Sequence, residues 1–199
     1  MRSNRSNFAM QLQFQCVHDP EEAGRLAELF CDALDPAYIS HGEIECGRAL
    51  APGRWAPEFR ESIKKEFVFI ADQDLDFEDS DLQYAGPRLL RLEVGGECIG
   101  VAVVVLYWAA NQALASLEDL VLRRDCRGKG FGRLFLQQLQ QRLQRAGIQR
   151  WLLEVGGENE KAQAFFQSLG FRAVSVAYWK ACGTSIPPGA SGSEPSDQL

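Results

Sequence analysis

The sequence predicts an α/β protein with a mixed central sheet and helices on both faces, and three observations predict it. Apolar runs of strand character recur between glycine-rich turns. Segments with helix-start signals lie among them. After residue 117 the order becomes strand, glycine turn, helix, strand, helix, strand. The length of 199 residues with 46% apolar content suits one domain with a substantial core.

Taken in order, residues 1–10 are polar and read as an N-terminal extension. Leu12, Phe14 and Cys16 alternate with Gln13 and Gln15, which predicts a first strand over residues 12–17. Asp19 as N-cap, Pro20 at the first helical position and the early acids Glu21 and Glu22 then predict a helix to about Leu34. Residues 35–55 carry Pro36, Gly42, Gly47, Pro52 and Gly53 and read as loop. Pro57 opens a second helix from Glu58 to about Glu66, and residues 67–70 either finish it or begin a strand. Residues 89–94 and 98–108, joined by Gly95, Gly96 and Glu97, predict a hairpin, and residues 117–122 a further strand. Phe131, Phe135, Leu139 and Leu143 fall on one stripe of an amphipathic helix that ends at Gly147. A strand over 151–155, a short helix over 159–169 closed by Gly170 and last strand material over 171–180 complete the domain, 11–182. Residues 183–199 hold three Gly, four Ser and three Pro, too little apolar content to offset the entropy of ordering, and read as a disordered tail.

Charge and cysteine usage exclude several function classes. Lys plus Arg total 21 against 27 Asp plus Glu, a formal charge of −6, which argues against a nucleic-acid binder held by phosphate contacts and permits cationic partners. The six cysteines form no Cys-x-x-Cys pair and have two histidines to help them, so no metal site is expected. No apolar run approaches the roughly 18 residues of a membrane span, so no membrane partner is expected and a reducing, cytoplasmic setting is the default.

The segment that carries chemistry runs from Leu117 to Arg133. A strand enters a turn with glycines at 128, 130 and 132 and then a helix, so backbone N–H groups converge at a helix N-terminus and form a nest for phosphate. Arg127, Lys129 and Arg133 add cationic side chains, and residues 123–150 hold eight basic residues against one acid, Asp125. A Walker A loop fails because Arg123 stands where its first glycine belongs, and a dinucleotide fingerprint starting at Gly128 fails at Arg133. The plainer alternative is a glycine turn before a core helix.

Arg127-Gly128-Lys129-Gly130-Phe131-Gly132 resembles the Arg/Gln-x-x-Gly-x-Gly/Ala signature of the GNAT N-acetyltransferase superfamily. Asn159 to Phe166, followed by Leu169-Gly170-Phe171, is similar to its downstream Asn-x-x-Ala helix and Gly-Phe. The strand Leu117-Glu118-Asp119-Leu120 ahead of Arg127 looks like the diamine and polyamine branch, a pattern shared with members acting on other amines. The resemblance implies a mostly antiparallel sheet with one splayed strand pair, and acetyl-CoA as co-substrate lying in the cleft between the strands at Leu120 and Trp151. Pantetheine would pair with backbone at Leu120, Val121 and Leu122. The pyrophosphate would rest on the amides of Gly128, Lys129, Gly130, Phe131, Gly132 and Arg133 beside Arg127, and Asn159 would hydrogen-bond the pantetheine arm.

The implied reaction is acetyl transfer to a primary amine of a small molecule by direct attack in a ternary complex. Such attack needs a base and an oxyanion donor. The resemblance makes Glu118 the base, acting through a water, while strand alternation turns Asp119 to the opposite face. The Leu120 or Leu122 N–H would polarise the acetyl carbonyl. The chain departs from the family at Phe166, where many relatives place a tyrosine as general acid; a thiol pKa near ~8.5 lets the thiolate leave without one, less efficiently. Tyr178 is a candidate substitute. About ten residues follow Gly170 before the tail, where the fold usually places two strands, so the pocket wall is either incomplete or completed by a second subunit of a homodimer.

Six acids lie between Asp72 and Asp81, which leaves the rest of the chain with 21 acids and 21 bases. Phe77 and Gln83 stand where a calcium loop needs Gly and Glu. The segment reads as a solvated loop or as a lure for a cationic amine at the acceptor entrance. Two other functional readings stand beside the small-molecule enzyme: a non-catalytic acyl-CoA-binding or regulatory protein, and a protein or peptide N-acetyltransferase.

Overall fold

The structure, a computed structural model, describes residues 11–77 and 85–182. The extension 1–10, the tail 183–199 and the acidic residues Glu78, Asp79 and Asp81 lie outside the described residues.

Asp19 starts the first helix as its sequence requires: its carboxylate accepts from the N–H groups of Glu21 and Glu22 at 3.1 and 3.3 Å, with Pro20 in the first turn. That helix, α1 (Pro20–Ala33), follows β1 (Leu12–Cys16). Next come a 3-10 turn (Pro36–Tyr38), a short helix α2 (His41–Glu45) and a small hairpin of β2 (Ala49–Ala51) and β3 (Arg54–Trp55). Residues 35–55 are therefore more ordered than a loop: Ser40 and Glu43 close a capping box at α2. Helix α3 (Phe59–Asp72) takes in residues 67–70, because Phe67 and Ile70 continue the buried stripe begun by Ile63.

Strands β4 (Gly86–Val94), β5 (Glu97–Ala109) and β6 (Gln112–Leu122) form an antiparallel meander, and β1 pairs with the outer edge of β4. Helix α4 (Phe131–Arg145), strand β7 (Arg150–Leu153) and helix α5 (Glu160–Gln167) follow. The sheet order is β1-β4-β5-β6-β7, with β7 parallel to β6. Phe135, Leu139 and Leu143 of α4 pack on one face with Leu90, Leu92 and Val104. Phe30 of α1 and Ile63 and Phe67 of α3 pack on the other with Val101, Val103 and Val121. Helices thus cover both faces of a mixed, mostly antiparallel sheet.

One expected element does not form. Residues 172–180 make no strand and are exposed throughout, Val176 at 74% and Tyr178 at 95%. The alternation of Val174, Val176 and Tyr178 has strand character, but a strand needs a ladder partner, and β7 pairs with β6 alone among the described residues.

Candidate active site

The site begins where β6 and β7 part. Their parallel pairing runs from Leu114 opposite Arg150 to Leu117 opposite Leu153 and stops there, so the backbone from Leu120 to Leu122 faces a cleft rather than a neighbouring strand. A bulge lies at the same point. Val104 pairs with Leu117 and Val103 with Asp119, which leaves Glu118 as the extra residue. The bulge breaks the alternation expected across residues 117–122: Leu117 packs with α4, whereas Val121 packs with α1 and α3. Glu118 and Asp119 consequently line the same cavity, of about 470 Å³, instead of facing opposite sides.

Asp119 is 1% exposed and held by residues that sequence reasoning missed. Tyr38 Oη donates to its Oδ1 at 2.9 Å, and Arg48 Nη1 lies 3.4 Å from its Oδ2. Arg48 also pairs with Glu66 of α3. Burial pushes the Asp119 carboxyl up to about 6, opposed by the Arg48 cation and the Tyr38 hydrogen bond and reinforced by Glu66 and Glu43. Burial, then the Asp119 charge, raises the Tyr38 hydroxyl well above its ordinary value, so it stays protonated. The Leu120 N–H donates to Tyr38 Oη at 3.4 Å. A backbone amide in the cleft, a phenol and a buried carboxyl are thereby chained together.

Leu120, Asn159 and Phe166 line this cavity with Glu118. Asn159 caps α5, its Oδ1 accepting from the Ala162 N–H at 3.1 Å. The Val121 side chain is buried in the opposite core, so its backbone alone borders the cleft. Beyond Leu122 the chain enters the glycine turn. Gly128 and Gly130 have φ of +73° and +85°, and an added Cβ would meet nothing within 4 Å at either, so backbone conformation rather than crowding calls for glycine. Gly130 is the N-cap of α4 and supplies no side-chain cap, which leaves the amides of Phe131, Gly132 and Arg133 in the first turn as anion donors.

The Arg127 guanidinium is tied to its own chain. Its Nε donates to the Leu122 carbonyl at 2.9 Å and its Nη2 to the Ala33 carbonyl at 2.6 Å, fastening the turn to the end of α1. Arg133 reaches Ser168 Oγ at 2.9 Å. Arg123 is engaged by Asp125 and Glu97. Of the basic side chains in the turn, Lys129 is exposed beside the glycines.

Two expectations do not meet the cavity. Tyr178 lies on the exposed C-terminal segment and is not in its wall. The described part of the acidic stretch turns toward β1, with Asp74 Oδ1 3.2 Å from His18 Nδ1 and Asp76 Oδ1 3.5 Å from Cys16 Sγ. No group of three or more His, Cys, Asp or Glu among the described residues is placed to hold a metal, and no helix there is long and apolar enough to cross a membrane.

Comparison with known proteins agrees with this geometry. No curated protein sequence matches the chain closely enough to count as a relative. An acetyltransferase from Thermus thermophilus is 26% identical, with 82% of this chain and 88% of that one covered and a TM-score of 0.55. A possible acetyltransferase from Clostridium difficile 630 shares the fold at 12% identity, 85% and 96% coverage and a TM-score of 0.58. A ribosomal-protein-alanine N-acetyltransferase from Brucella melitensis biovar Abortus 2308 does so at 13% identity, 86% and 99% coverage and a TM-score of 0.53. The sequence model of the Acetyltransferase (GNAT) family matches residues 55–171, from β3 through the splayed strands and the glycine turn to Phe171, and the chain belongs to that family of acetyltransferases.

Proposed function

We propose that the protein transfers an acetyl group from acetyl-CoA to a primary amine of a small molecule by direct attack in a ternary complex. The observation that carries this reading is the cleft itself: β6 backbone that has lost its β7 strand partner past Leu117, leading into an uncapped glycine turn, with carboxylates at the bend. Acetyl-CoA supplies the activated acetyl group. Amides from Gly128 to Arg133 and the Lys129 side chain take the pyrophosphate, and Arg127 keeps the turn in shape. Leu120 and Leu122 backbone pairs with the pantetheine arm, toward which Asn159 Nδ2 donates. Glu118, on its bulge, removes the first proton from the substrate ammonium through a water, and the Leu120 N–H, which Tyr38 Oη holds at 3.4 Å, is shared with the acetyl oxygen and steadies it.

The acceptor is read as a cationic amine. Glu43, Glu66, Glu118, Asp119 and Glu154 line the cavity against one cation, Arg48, and of these Glu118 and Glu154 are exposed. The attraction is thus assigned to the cavity wall and not to residues 72–77. A cytoplasmic site of action suits the six free thiols, and a homodimer would cover the wall left open beside β7.

A screen of amines, aminoglycosides, amino acids and peptides by thiol release from acetyl-CoA tests the reading. Turnover with small cationic amines is expected, and Glu118→Gln should lose it while keeping acetyl-CoA affinity. Preference for peptide N-termini would instead favour a protein acetyltransferase. Phe166, with no proton to give, favours the second reading of a non-catalytic acyl-CoA binder, for which no amine would release thiol.

A further inference from the structure

We propose that Tyr38 and Asp119 form a proton shuttle that carries a proton from the attacking amine to the departing sulfur. The inference rests on the reading of this cavity as the acetyl-transfer site. Phe166 lines the cavity without a proton to give, and the exposed Tyr178 is not part of its wall, so the leaving group lacks a donor from either position. Tyr38 stands on the other wall with its hydroxyl between two partners, donating to Asp119 Oδ1 at 2.9 Å and accepting from the Leu120 N–H at 3.4 Å. The Leu120 amide is the one assigned to the acetyl oxygen, so the hydroxyl sits beside the reacting carbon.

The groups facing Asp119 are Tyr38 after α1, Glu43 of α2, Arg48 before β2 and Glu66 of α3. Their balance brings the carboxyl to about 6, close enough to neutrality both to take a proton and to return it. Tyr38, held protonated, is a relay and never a resting tyrosinate. Glu118 first makes the ammonium a neutral amine. As nitrogen bonds to the acetyl carbon, its surplus proton passes to Tyr38 Oη while the Tyr38 proton passes to Asp119 Oδ1. When the C–S bond breaks, the electron pair stays on sulfur, and the proton returns from Asp119 through Tyr38 to the sulfur. Asp119 ends ionised and Tyr38 neutral, as they began, and the exposed Glu118 gives its proton to solvent.

Tyr38→Phe tests this and keeps the ring that packs on Phe30 and Trp55. The expected result is a loss in kcat of about 100-fold with acetyl-CoA, with CoA affinity by calorimetry unchanged. With the selenoester analogue of acetyl-CoA, whose leaving selenolate needs no proton, the variant should approach the wild type. An equal loss with both donors, or no loss at all, overturns the shuttle. A second readout needs no turnover: the carbon-13 titration of the Asp119 carboxyl, with its midpoint near pH 6, should move upward in Tyr38→Phe as a hydrogen bond to the ionised form is lost. An unmoved midpoint overturns the coupling. A wild type that releases no thiol with any amine overturns the acetyl-transfer reading itself.

Discussion

Gly156 lies directly against the backbone of Tyr38. A Cβ at Gly156 would come within 3.0 Å of the Tyr38 carbonyl oxygen and 2.6 Å of the Ile39 carbonyl oxygen. The chain leaving β7 thus carries a residue whose missing side chain lets the Tyr38 loop close over Asp119. Gly156→Ala must push that loop away, since the atoms it meets are backbone and cannot rotate aside. The variant should fold with a loss of about 1–3 kcal/mol and lose turnover more than CoA affinity. Equal kcat in Gly156→Ala and wild type would show that the contact does not position Tyr38.

Arg48 balances the buried carboxyl. Arg48→Met removes the cation 3.4 Å from Asp119 Oδ2 and leaves Glu66 without that partner. Stranding a buried charge costs about 3–5 kcal/mol, but Asp119 escapes part of this by taking a proton. The destabilisation read by urea unfolding should therefore be larger at pH 8 than at pH 5. A loss independent of pH would mean that Arg48 acts through packing alone.

The helix of Phe131, Phe135, Leu139 and Leu143 and the glycine turn before it were legible because periodicity and φ requirements are local properties. Tyr38 and Arg48 were not, since they sit in a stretch of prolines and glycines without period and reach Asp119 only after the chain has folded back across 81 and 71 residues. The bulge at Glu118 is likewise silent in sequence: residues 117–122 read as a regular strand, and the extra residue appears only in their register with β5. Residues 171–180 show the opposite failure, a strand pattern with no edge to join. Arg127 matched a motif by position, yet its guanidinium binds two carbonyls of its own chain.

The glycine turn makes a prediction separable from the chemistry. At φ of +85° an alanine in place of Gly130 carries a strain of about 1–2 kcal/mol, and relief of that strain turns the first amides of α4 away from a common point. Gly130→Ala should weaken CoA binding about tenfold by calorimetry, an effect near 1.4 kcal/mol. Pantetheine, which lacks the pyrophosphate, should bind both proteins alike. A parallel loss for both ligands would place the defect in the cleft and not in the nest.

Asp119 also leaves a mark on stability. Its carboxyl titrates near 6 in the native protein against an ordinary 3.8, so between about pH 4 and 6 the folded state holds a proton that the unfolded chain has released. Stability falls with rising pH wherever the native state binds more protons. The contribution of Asp119 is therefore greatest below pH 4 and is lost as pH rises through 6. Asp119→Asn removes this titration and resembles the protonated acid in shape. Thermal unfolding from pH 4 to 8 should show the variant gaining on the wild type as pH rises, while its turnover falls at every pH; parallel profiles would show that the carboxyl does not change its charge in this window. A residue whose contribution to stability shrinks toward neutral pH, yet which Tyr38 and Arg48 both hold in the wall of the cavity, fits the proposed proton transfer better than packing.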